Sequence, residues 1–279
     1  MEHLSIEQPE LRNRIISLGR TFSSIFRGGN QGAREGENVQ RALTLGGTAW
    51  ERVVCWYLNA LGCGLNAVAL QGASQSTYLP DSFRNAFLVT INNHVVSSDL
   101  DVIQIHWIGE DGQDWMQTRY ESTNRANMLR ARRHFRELMD ESPESFAVNI
   151  VSCKTNWNDA IQTPMLWNMV FSHGFHHGAI SVGINHQNPQ EFGHFSYSFA
   201  TVPSNSSWVN YGSNRAEVIR GSTMSGGSYY GHSTNLDIGM RSLDELYSGR
   251  TQMPSGAVVG SGFSAFIQNP DGLAAFQLN

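Results

Sequence analysis

The sequence predicts a mixed α/β fold in which a central β-sheet is flanked by helices. Three observations support this prediction: two segments carry apolar residues at helical spacing, several short segments are rich in β-branched and aromatic residues, and glycine-rich stretches separate them. The chain has 279 residues, of which 40% are hydrophobic and 15% are charged. A chain of this length and composition can bury a substantial core.

The charge and the cysteine content narrow the class of protein. The net charge of −5 and the pI near 6.0 do not mark the whole chain as nucleic-acid-binding, although a local basic face is enough for such binding. No run of about 18 apolar residues occurs, so no membrane span is expected. The polar N-terminus is not expected to be a secretion signal. Three irregularly spaced cysteines, Cys55, Cys63 and Cys153, favour reduced thiols inside a cell.

The N-terminal part of the chain is predicted to contain an arm and one long helix. Residues 1–40 combine a short amphipathic stretch with the glycine-rich segment RGGNQGAREGENVQ, which is typical of a connector. The helix is predicted over GGTAWERVVCWYLNALGCG and is expected to end at Gly62. Its apolar residues recur at helical spacing, and they are Trp50, Val53, Val54, Tyr57, Leu58 and Leu61.

The middle of the chain is predicted to supply the sheet. The segment NAFLVTINNHVVSSDLDVIQIHWI is β-rich with a central Asn92–Asn93 turn, which predicts a hairpin. Residues 124–139 predict a second amphipathic helix. Its inward residues are expected to be Met128, Ala131, Phe135, Leu138 and Met139. FAVNIVSCK predicts a buried strand, GAISVGIN and HFSYSFATV predict further strands, and Thr163–Pro164 is typical of a helix start.

The composition changes at about residue 186. Charged residues become rare, while Gly, Ser, Asn and aromatic residues increase, as in NSSWVNYGSN and STMSGGSYYGHSTN. The aromatic residues favour a folded, loop- and strand-rich C-terminal region over a disordered one. We therefore divide the chain into an arm and connector at residues 1–40, a core at 41–185 and a C-terminal region at 186–279.

One basic residue differs from all the others. The chain has 19 lysines and arginines, of which Lys154, in VNIVSCKTNWND, is the only lysine and 18 are arginines. Arginine stays protonated and presents a broad planar fork, whereas lysine is a compact charge whose pKa is tunable. A chain that otherwise uses arginine is expected to keep lysine at a tight catalytic position. The alternative is a surface lysine at the end of a strand.

Carboxylates are expected to meet this lysine at the sheet. Because alternate residues of a strand share a face, Asp99 is grouped with Asp101 on one strand, and Ser152 is grouped with Lys154 on another. If these strands are neighbours, the carboxylates are suited to Mg²⁺, which activates water and neutralises charge on a phosphate. A lysine beside it orients the water, stabilises the transition state or takes a proton. The residues therefore predict metal-assisted phosphodiester hydrolysis, and the alternative for the aspartates is a solvated pair on an edge strand.

These segments resemble the signature of the PD-(D/E)xK nuclease superfamily, which includes most type II restriction endonucleases. In that family an aspartate on one strand is followed by Asp/Glu-x-Lys on the next, and LDVI and VSCKT match this pair with Asp101, Ser152 and Lys154. The resemblance covers roughly residues 46–172. Asp101 is favoured over Asp99 because the apolar VI follows it directly. No proline precedes the aspartate, and Ser152 occupies the slot that usually holds Asp or Glu.

The resemblance implies a restriction-endonuclease-like core and a Mg²⁺-dependent nuclease. The implied catalytic residues are Asp101, Lys154, Glu51 and Ser152, and the implied metal ligands are Asp101, Asp99 and Glu51. Ser152 is either a bystander or a hydrogen-bond partner, and the missing carboxylate comes from Glu51, Asp99 or Asp159. Glu51 lies on a preceding helix, where the family often places a metal-binding glutamate. Thr48-x-x-Glu51 also matches a capping box, and both interpretations stay open.

The implied substrate is double-stranded DNA, and two regions predict contacts with it. The helix at residues 124–139 carries a dense arginine face, made of Arg125, Arg130, Arg132, Arg133 and Arg136. Phosphates would offset the mutual repulsion of these arginines, and a solvated helix face is the alternative. Base contacts are predicted in the glycine-rich segment RGSTMSGGSYYGHSTN. They are Arg220, Ser225, Tyr229, Tyr230, His232 and Asn235, and Asn156 is added beside the lysine strand.

The resemblance also implies the biological setting. Restriction enzymes of this kind commonly cut both strands of a twofold-symmetric site, which implies a homodimer in the cytoplasm of a prokaryotic cell, within a restriction-modification system. The alternatives are a repair or recombination nuclease of the same superfamily and a non-catalytic DNA-binding protein. A zinc hydrolase built on His173, His176 and His177 is a third, although no His-Glu-x-x-His or Cys-x-x-Cys pattern supports it.

Overall fold

The computed structural model describes residues 39–62, 67–97, 100–109, 125–154, 176–177, 180–185, 187–201, 226–229 and 243. These residues form a mixed α/β structure, as the sequence predicts, with a five-stranded sheet and a smaller four-stranded sheet. Among them, no helix has both the length and the apolar character needed to cross a membrane.

The first helix, α1, extends over Val39–Gly62 and ends at the predicted glycine. It begins well before the predicted start at Gly46, so Thr48 and Glu51 both lie in the helix interior. A capping box requires its threonine at the helix start. The capping-box interpretation of Glu51 is therefore wrong.

The other elements follow α1 in the order β1 (Ala67–Gln71), α2 (Gly72–Gln75), a 3-10 turn (Ser76–Tyr78), α3 (Asp81–Ala86), β2 (Leu88–Ile91), β3 (His94–Ser97), β4 (Val102–Trp107), α4 (Arg125–Glu141), a 3-10 turn (Pro143–Ser145), β5 (Phe146–Lys154), β6 (His176–His177), β7 (Ile180–Val182), a 3-10 turn (Pro189–Glu191), β8 (His194–Thr201) and β9 (Ser228–Tyr229). The predicted second helix is confirmed as α4, and the predicted strand FAVNIVSCK is confirmed as β5. Strands β7 and β8 lie within the segments predicted as further strands. Strand β1 was not predicted from the sequence.

The predicted Asn-Asn hairpin is confirmed, but it is smaller than expected. Strands β2 and β3 pair antiparallel, and Asn92 and Asn93 between them have φ values of 46° and 66°. A two-residue hairpin turn of this kind requires positive φ, which asparagine tolerates. Strand β4, which belongs to the same β-rich segment, instead joins the five-stranded sheet.

The five-stranded sheet has the order β1-β4-β5-β8-β9. Strands β1, β4 and β5 pair antiparallel, whereas β8 pairs parallel to β5 and β9 pairs parallel to β8. Strand β5 is central, and eight of its nine residues are buried. Because β8 and β9 follow residue 186, the sheet extends into the segment that the sequence assigns to the C-terminal region.

Helices cover both faces of this sheet. On one face α1 buries Trp50, Val54, Tyr57 and Leu58 against a cluster that includes Val102 and Val151. The indole Nε1 of Trp50 also donates to the carbonyl oxygen of Ala200 in β8, at 3.1 Å.

On the opposite face, α4 packs Phe135 and Met139 into a cluster that includes Ile103 and Ile150. Leu138 packs at the edge of that cluster, while the side chains of Met128 and Ala131 lie outside the described residues. Since neighbouring residues of β4 and β5 enter different clusters, side chains alternate between the two faces. Asp101 and Ser152 therefore belong to the α4 face.

Candidate active site

Asp101 lies directly before β4, beside the end of β5. The register pairs Val102 with Val151, so Asp101 is opposite Ser152. Its carboxylate is buried, and Oδ2 accepts hydrogen bonds from the backbone N–H of Cys153 at 2.7 Å and from Ser152 Oγ at 3.3 Å. The hydrogen bonds of Asp101 thus link the start of β4 to the end of β5.

Lys154 completes this group as the last residue of β5. Its Nζ atom lies 3.3 Å from Asp101 Oδ2, and the side chain of Lys154 is 24% exposed whereas that of Asp101 is 6% exposed. A buried carboxylate requires such donors, because removal from water destabilises an unpaired charge. The structure therefore brings together three of the predicted site residues, and the cation remains accessible to solvent.

Glu51 approaches from α1, on the other side of the sheet. Its Oε2 accepts a hydrogen bond of 3.2 Å from Nε2 of Gln71, the last residue of β1. Burial raises the pKa of the Cys153 thiol well above its usual range, and the charges of Asp101 and Glu51 raise it further, whereas Lys154 lowers it. The two carboxylates and the lysine therefore act on the same buried thiol, which stays protonated.

Gln71 and Gly72 are parts of the site that sequence patterns miss. The amide of Gln71 contacts Glu51, and the backbone N–H of Gly72 donates to the carbonyl oxygen of Asp101 at 3.0 Å. A side chain at Gly72 would collide with the carbonyl oxygen of Leu100, so this close approach requires glycine. The available signal is a polar residue and a glycine directly after the apolar run AVAL.

The ligands that the site offers to a metal ion are two carboxylates. Within the described ranges, no three residues among His, Cys, Asp and Glu are grouped in a way that would hold one. The carboxylates of the site are those of Asp101 and Glu51. Mg²⁺ is commonly bound by one or two carboxylates and keeps several waters, so the type of these two ligands matches what Mg²⁺ prefers. It does not fit structural zinc, which takes four nitrogen or sulfur ligands.

The arginines of α4 lie mainly at the surface. Arg130, Arg133 and Arg136 are exposed. Arg132 is partly buried, and its guanidinium carbon lies 3.9 Å from the centroid of the Tyr78 ring, in a cation–π contact. Arg125 is in the first turn of α4, and its side chain is outside the described part of the chain.

Tyr229 is not available for the predicted base contact. The ring is 2% exposed and packs in the cluster beneath α1. The prediction of Tyr229 as a DNA contact is corrected by this burial. His176 and His177 form β6, and the structure describes their backbone only.

Other predicted residues lie outside the described ranges, and they are Cys63, Asp99, Asn156, Asp159, Thr163, Pro164, His173, Arg220, Ser225, Tyr230, His232 and Asn235. Of the three cysteines, Cys55 and Cys153 are described, and both are buried free thiols. Burial raises the pKa of Cys55 to about 12, although a hydrogen bond from Asn59 lowers it.

Comparison of the chain with protein-family models, curated proteins and solved structures found no match. The chemistry of the site is therefore inferred from its own residues and their geometry.

Proposed function

We propose that the protein is a type II restriction endonuclease, which hydrolyses phosphodiester bonds of double-stranded DNA at a specific site with Mg²⁺. The observation that carries this proposal is the contact between Lys154 and Asp101. The only lysine in the chain lies 3.3 Å from a buried carboxylate on the adjacent strand. The resemblance to the PD-(D/E)xK superfamily is the basis for proposing restriction activity. The residues of the site are the basis for proposing phosphodiester hydrolysis.

The charges of the site support cation-assisted chemistry. Asp101 and Glu51 each carry one negative charge when ionised and Lys154 carries one positive charge, so the three groups sum to −1. When bound by the two carboxylates, Mg²⁺ would neutralise charge on the phosphate and make a water more acidic. Three donors hold Asp101 Oδ2, namely Lys154 Nζ, Ser152 Oγ and the N–H of Cys153, and they fix the orientation of its carboxylate.

Lys154 is proposed to act on the phosphate and on the attacking water. Its ammonium is a compact charge with three donors, and Nζ lies 3.3 Å from Asp101 Oδ2. The side chain is 24% exposed, so a phosphate oxygen or a water can approach it from solvent. Arginine would place a larger planar group in the same space, and its proton would not be released.

Exposed arginines of α4 supply the proposed DNA-binding surface. Arg130, Arg133 and Arg136 project from the helix that covers the Asp101 face of the sheet. Contacts to phosphates position a duplex without reading its sequence. A homodimer would allow both strands of a twofold-symmetric site to be cut. Sequence-reading contacts are proposed for Arg220, Ser225, Tyr230, His232 and Asn235, without the buried Tyr229.

A second candidate is a sequence-specific DNA-binding protein without nuclease activity. Ser152 supports this candidate, because its hydroxyl replaces the acidic side chain of the family motif and hydrogen-bonds to Asp101. A repair or recombination nuclease of the same superfamily remains the other enzymatic candidate, and it would not produce discrete fragments from a plasmid.

The test is digestion of phage or plasmid DNA with Mg²⁺ by the wild type, Lys154→Ala and Lys154→Arg. We expect discrete fragments from the wild type and a rate lower by about 1,000-fold in both variants, since proton transfer and charge stabilisation typically contribute 10²–10⁴-fold. Arg84→Ala is the matched control, because Arg84 forms an exposed ion pair with Asp81 on α3.

The possible results separate the candidates. Fragments of equal yield from all variants would show that Lys154 has no catalytic role. A specific gel shift without cleavage by the wild type would favour the DNA-binding protein. Unspecific degradation of the plasmid, or cleavage confined to branched or damaged DNA, would favour the repair nuclease.

A further inference from the structure

We propose that Gln71 is a positioning residue, whose side-chain amide holds the Glu51 carboxylate beside the Asp101–Lys154 pair so that both carboxylates bind one divalent cation. This inference rests on the proposed function. It adds a residue that the nuclease motif does not contain, and it explains how a glutamate on α1 joins a site on the opposite face of the sheet.

The need for a positioning group follows from the layers of the fold. Helix α1 packs on the face that carries Val102 and Val151, whereas Asp101 and Lys154 belong to the other face. A carboxylate from α1 can reach them only around the ends of the strands. Glutamate has a flexible side chain, so a fixed partner at that end is required to hold it.

Gln71 lies at that end of the sheet. It is the last residue of β1 and pairs with Val102, next to Asp101, and it is 3% exposed. Its Nε2 donates to Glu51 Oε2 at 3.2 Å. The next backbone N–H, that of Gly72, donates to the carbonyl oxygen of Asp101. The Gln71–Gly72 unit therefore contacts both residues that carry the carboxylates.

Two further hydrogen bonds fix Gln71 itself. Ser74 Oγ donates to Gln71 Oε1 at 3.1 Å, and the backbone N–H of Gln71 donates to Gln75 Oε1 at 2.8 Å. An ionised carboxylate only accepts hydrogen bonds, so the NH₂ group of Gln71 must face Glu51. Residues of the short helix α2 thus fix the direction of the amide through hydrogen bonds that do not involve Glu51.

The amide is the appropriate group for this task because it is neutral. A lysine or arginine at residue 71 would orient Glu51 but would also cancel its charge, and the site would then hold four charged groups that sum to zero. A neutral donor orients the carboxylate and leaves its charge available to a cation. Groups that orient a metal ligand in this way typically change metal affinity 10- to 100-fold when removed.

The experiment measures Mn²⁺ binding to the full-length protein by electron paramagnetic resonance, without DNA and without turnover. Gln71→Met removes the donor and keeps the length of the side chain. We expect its Mn²⁺ affinity to fall about 10- to 100-fold. In the Glu51→Gln background, the same change should have no further effect, because Gln71 acts through Glu51.

Gln104→Met is the matched control. Gln104 is a buried glutamine of β4 whose Oε1 accepts from Asn149, away from the carboxylates. Its Mn²⁺ affinity should equal that of the wild type. If Gln71→Met does not fold, Gln71→Asn replaces it, because the shorter side chain keeps an amide but cannot reach Glu51, and the same loss is expected.

Each contrary result has a separate meaning. Wild-type affinity in Gln71→Met or Gln71→Asn would overturn the role of Gln71 and leave the proposed nuclease intact. An additional loss in the Glu51→Gln background, or an equal loss in Gln104→Met, would show a general effect on the fold and would also overturn it. Absence of Mn²⁺ binding by the wild type would overturn this inference together with the Mg²⁺ site of the proposed function.

Discussion

Among the described residues, two groups of polar side chains lie at the five-stranded sheet, and the two differ in charge. The charged site consists of Glu51, Gln71, Asp101, Ser152 and Lys154. The neutral cluster consists of Gln104, Asn149, Ser196 and Ser198 on the α1 face. In the neutral cluster, Asn149 donates to Gln104 Oε1 at 3.2 Å and accepts from Ser196 Oγ and Ser198 Oγ at 3.0 and 2.9 Å.

This difference in charge distinguishes polar residues that stabilise the fold from polar residues whose presence stability does not explain. The neutral cluster joins β4, β5 and β8 through amides and hydroxyls, and none of its four side chains is ionisable. The charged site buries a carboxylate next to a cation, an arrangement that is often no more stable than apolar residues of the same size. Stability does not explain why the charge is kept there, whereas the proposed function in catalysis would explain it.

The largest expected effect on stability is in the neutral cluster. Asn149→Ala removes three hydrogen bonds and leaves two buried hydroxyls and an amide without this partner, so we expect the free energy of unfolding to fall by about 4 kcal/mol. Urea unfolding measures the loss, and the Mn²⁺ affinity of the folded variant should be unchanged. A loss below about 1 kcal/mol would contradict the role of the cluster in holding the strands together.

The second prediction concerns pH and His106, which lies two residues after Gln104 on the same face. Burial lowers the pKa of His106 from 6.5 to about 4. The unfolded chain therefore binds a proton below pH 6.5 while the folded chain does not until about pH 4, so stability falls as the pH falls through this interval. The effect is about 3 kcal/mol, at 1.36 kcal/mol per pKa unit.

The measurement is urea unfolding of the wild type and His106→Gln at pH 7 and at pH 4. We expect the wild type to lose more stability than the variant by about that 3 kcal/mol. His134→Gln, at an exposed residue of α4, is the control and should follow the wild type. Parallel curves for the wild type and His106→Gln would contradict the neutral, buried state of this histidine.

The smallest effect compares one serine from each group. Ser152 and Ser198 are both fully buried, and each donates one hydrogen bond from its hydroxyl within its group. Each change to alanine should lower the free energy of unfolding by about 1 kcal/mol. Only Ser152→Ala should also weaken Mn²⁺ binding, because only Ser152 helps to orient Asp101. Equal Mn²⁺ affinity in both variants would make Ser152 a bystander.

Local signals predict much of the fold. Gly62 ends α1, the Asn92–Asn93 turn joins β2 to β3, and the apolar run of β5 has the predicted bounds. The predictions are wrong where a local pattern is ambiguous. Gly46 and Gly47 resemble a helix boundary but lie inside α1, and all residues of β4 are buried, so alternation could not show which sheet it joins.

The candidate site is predicted only in part, for a related reason. Alternation along β5 groups Ser152 with Lys154, and the prediction that they meet Asp101 depended on β4 and β5 being neighbours, which the structure shows. Gln71 has no periodic signal, because a single polar residue after a short apolar strand is also typical of a strand end. Its contact with Glu51 depends on packing between α1 and β1, which periodicity does not report.

The strand order also has a consequence for how the chain is assembled during synthesis. In the five-stranded sheet the strands lie side by side in the order in which the ribosome produces them, so each new strand can be added to an edge that already exists. The four-stranded sheet differs, because Ile91 of β2 pairs with Ile180 of β7. Pairing between residues so far apart in sequence is slow. Until β7 has been synthesised, the edge of β2 that pairs with β7 in the folded protein has no strand to pair with.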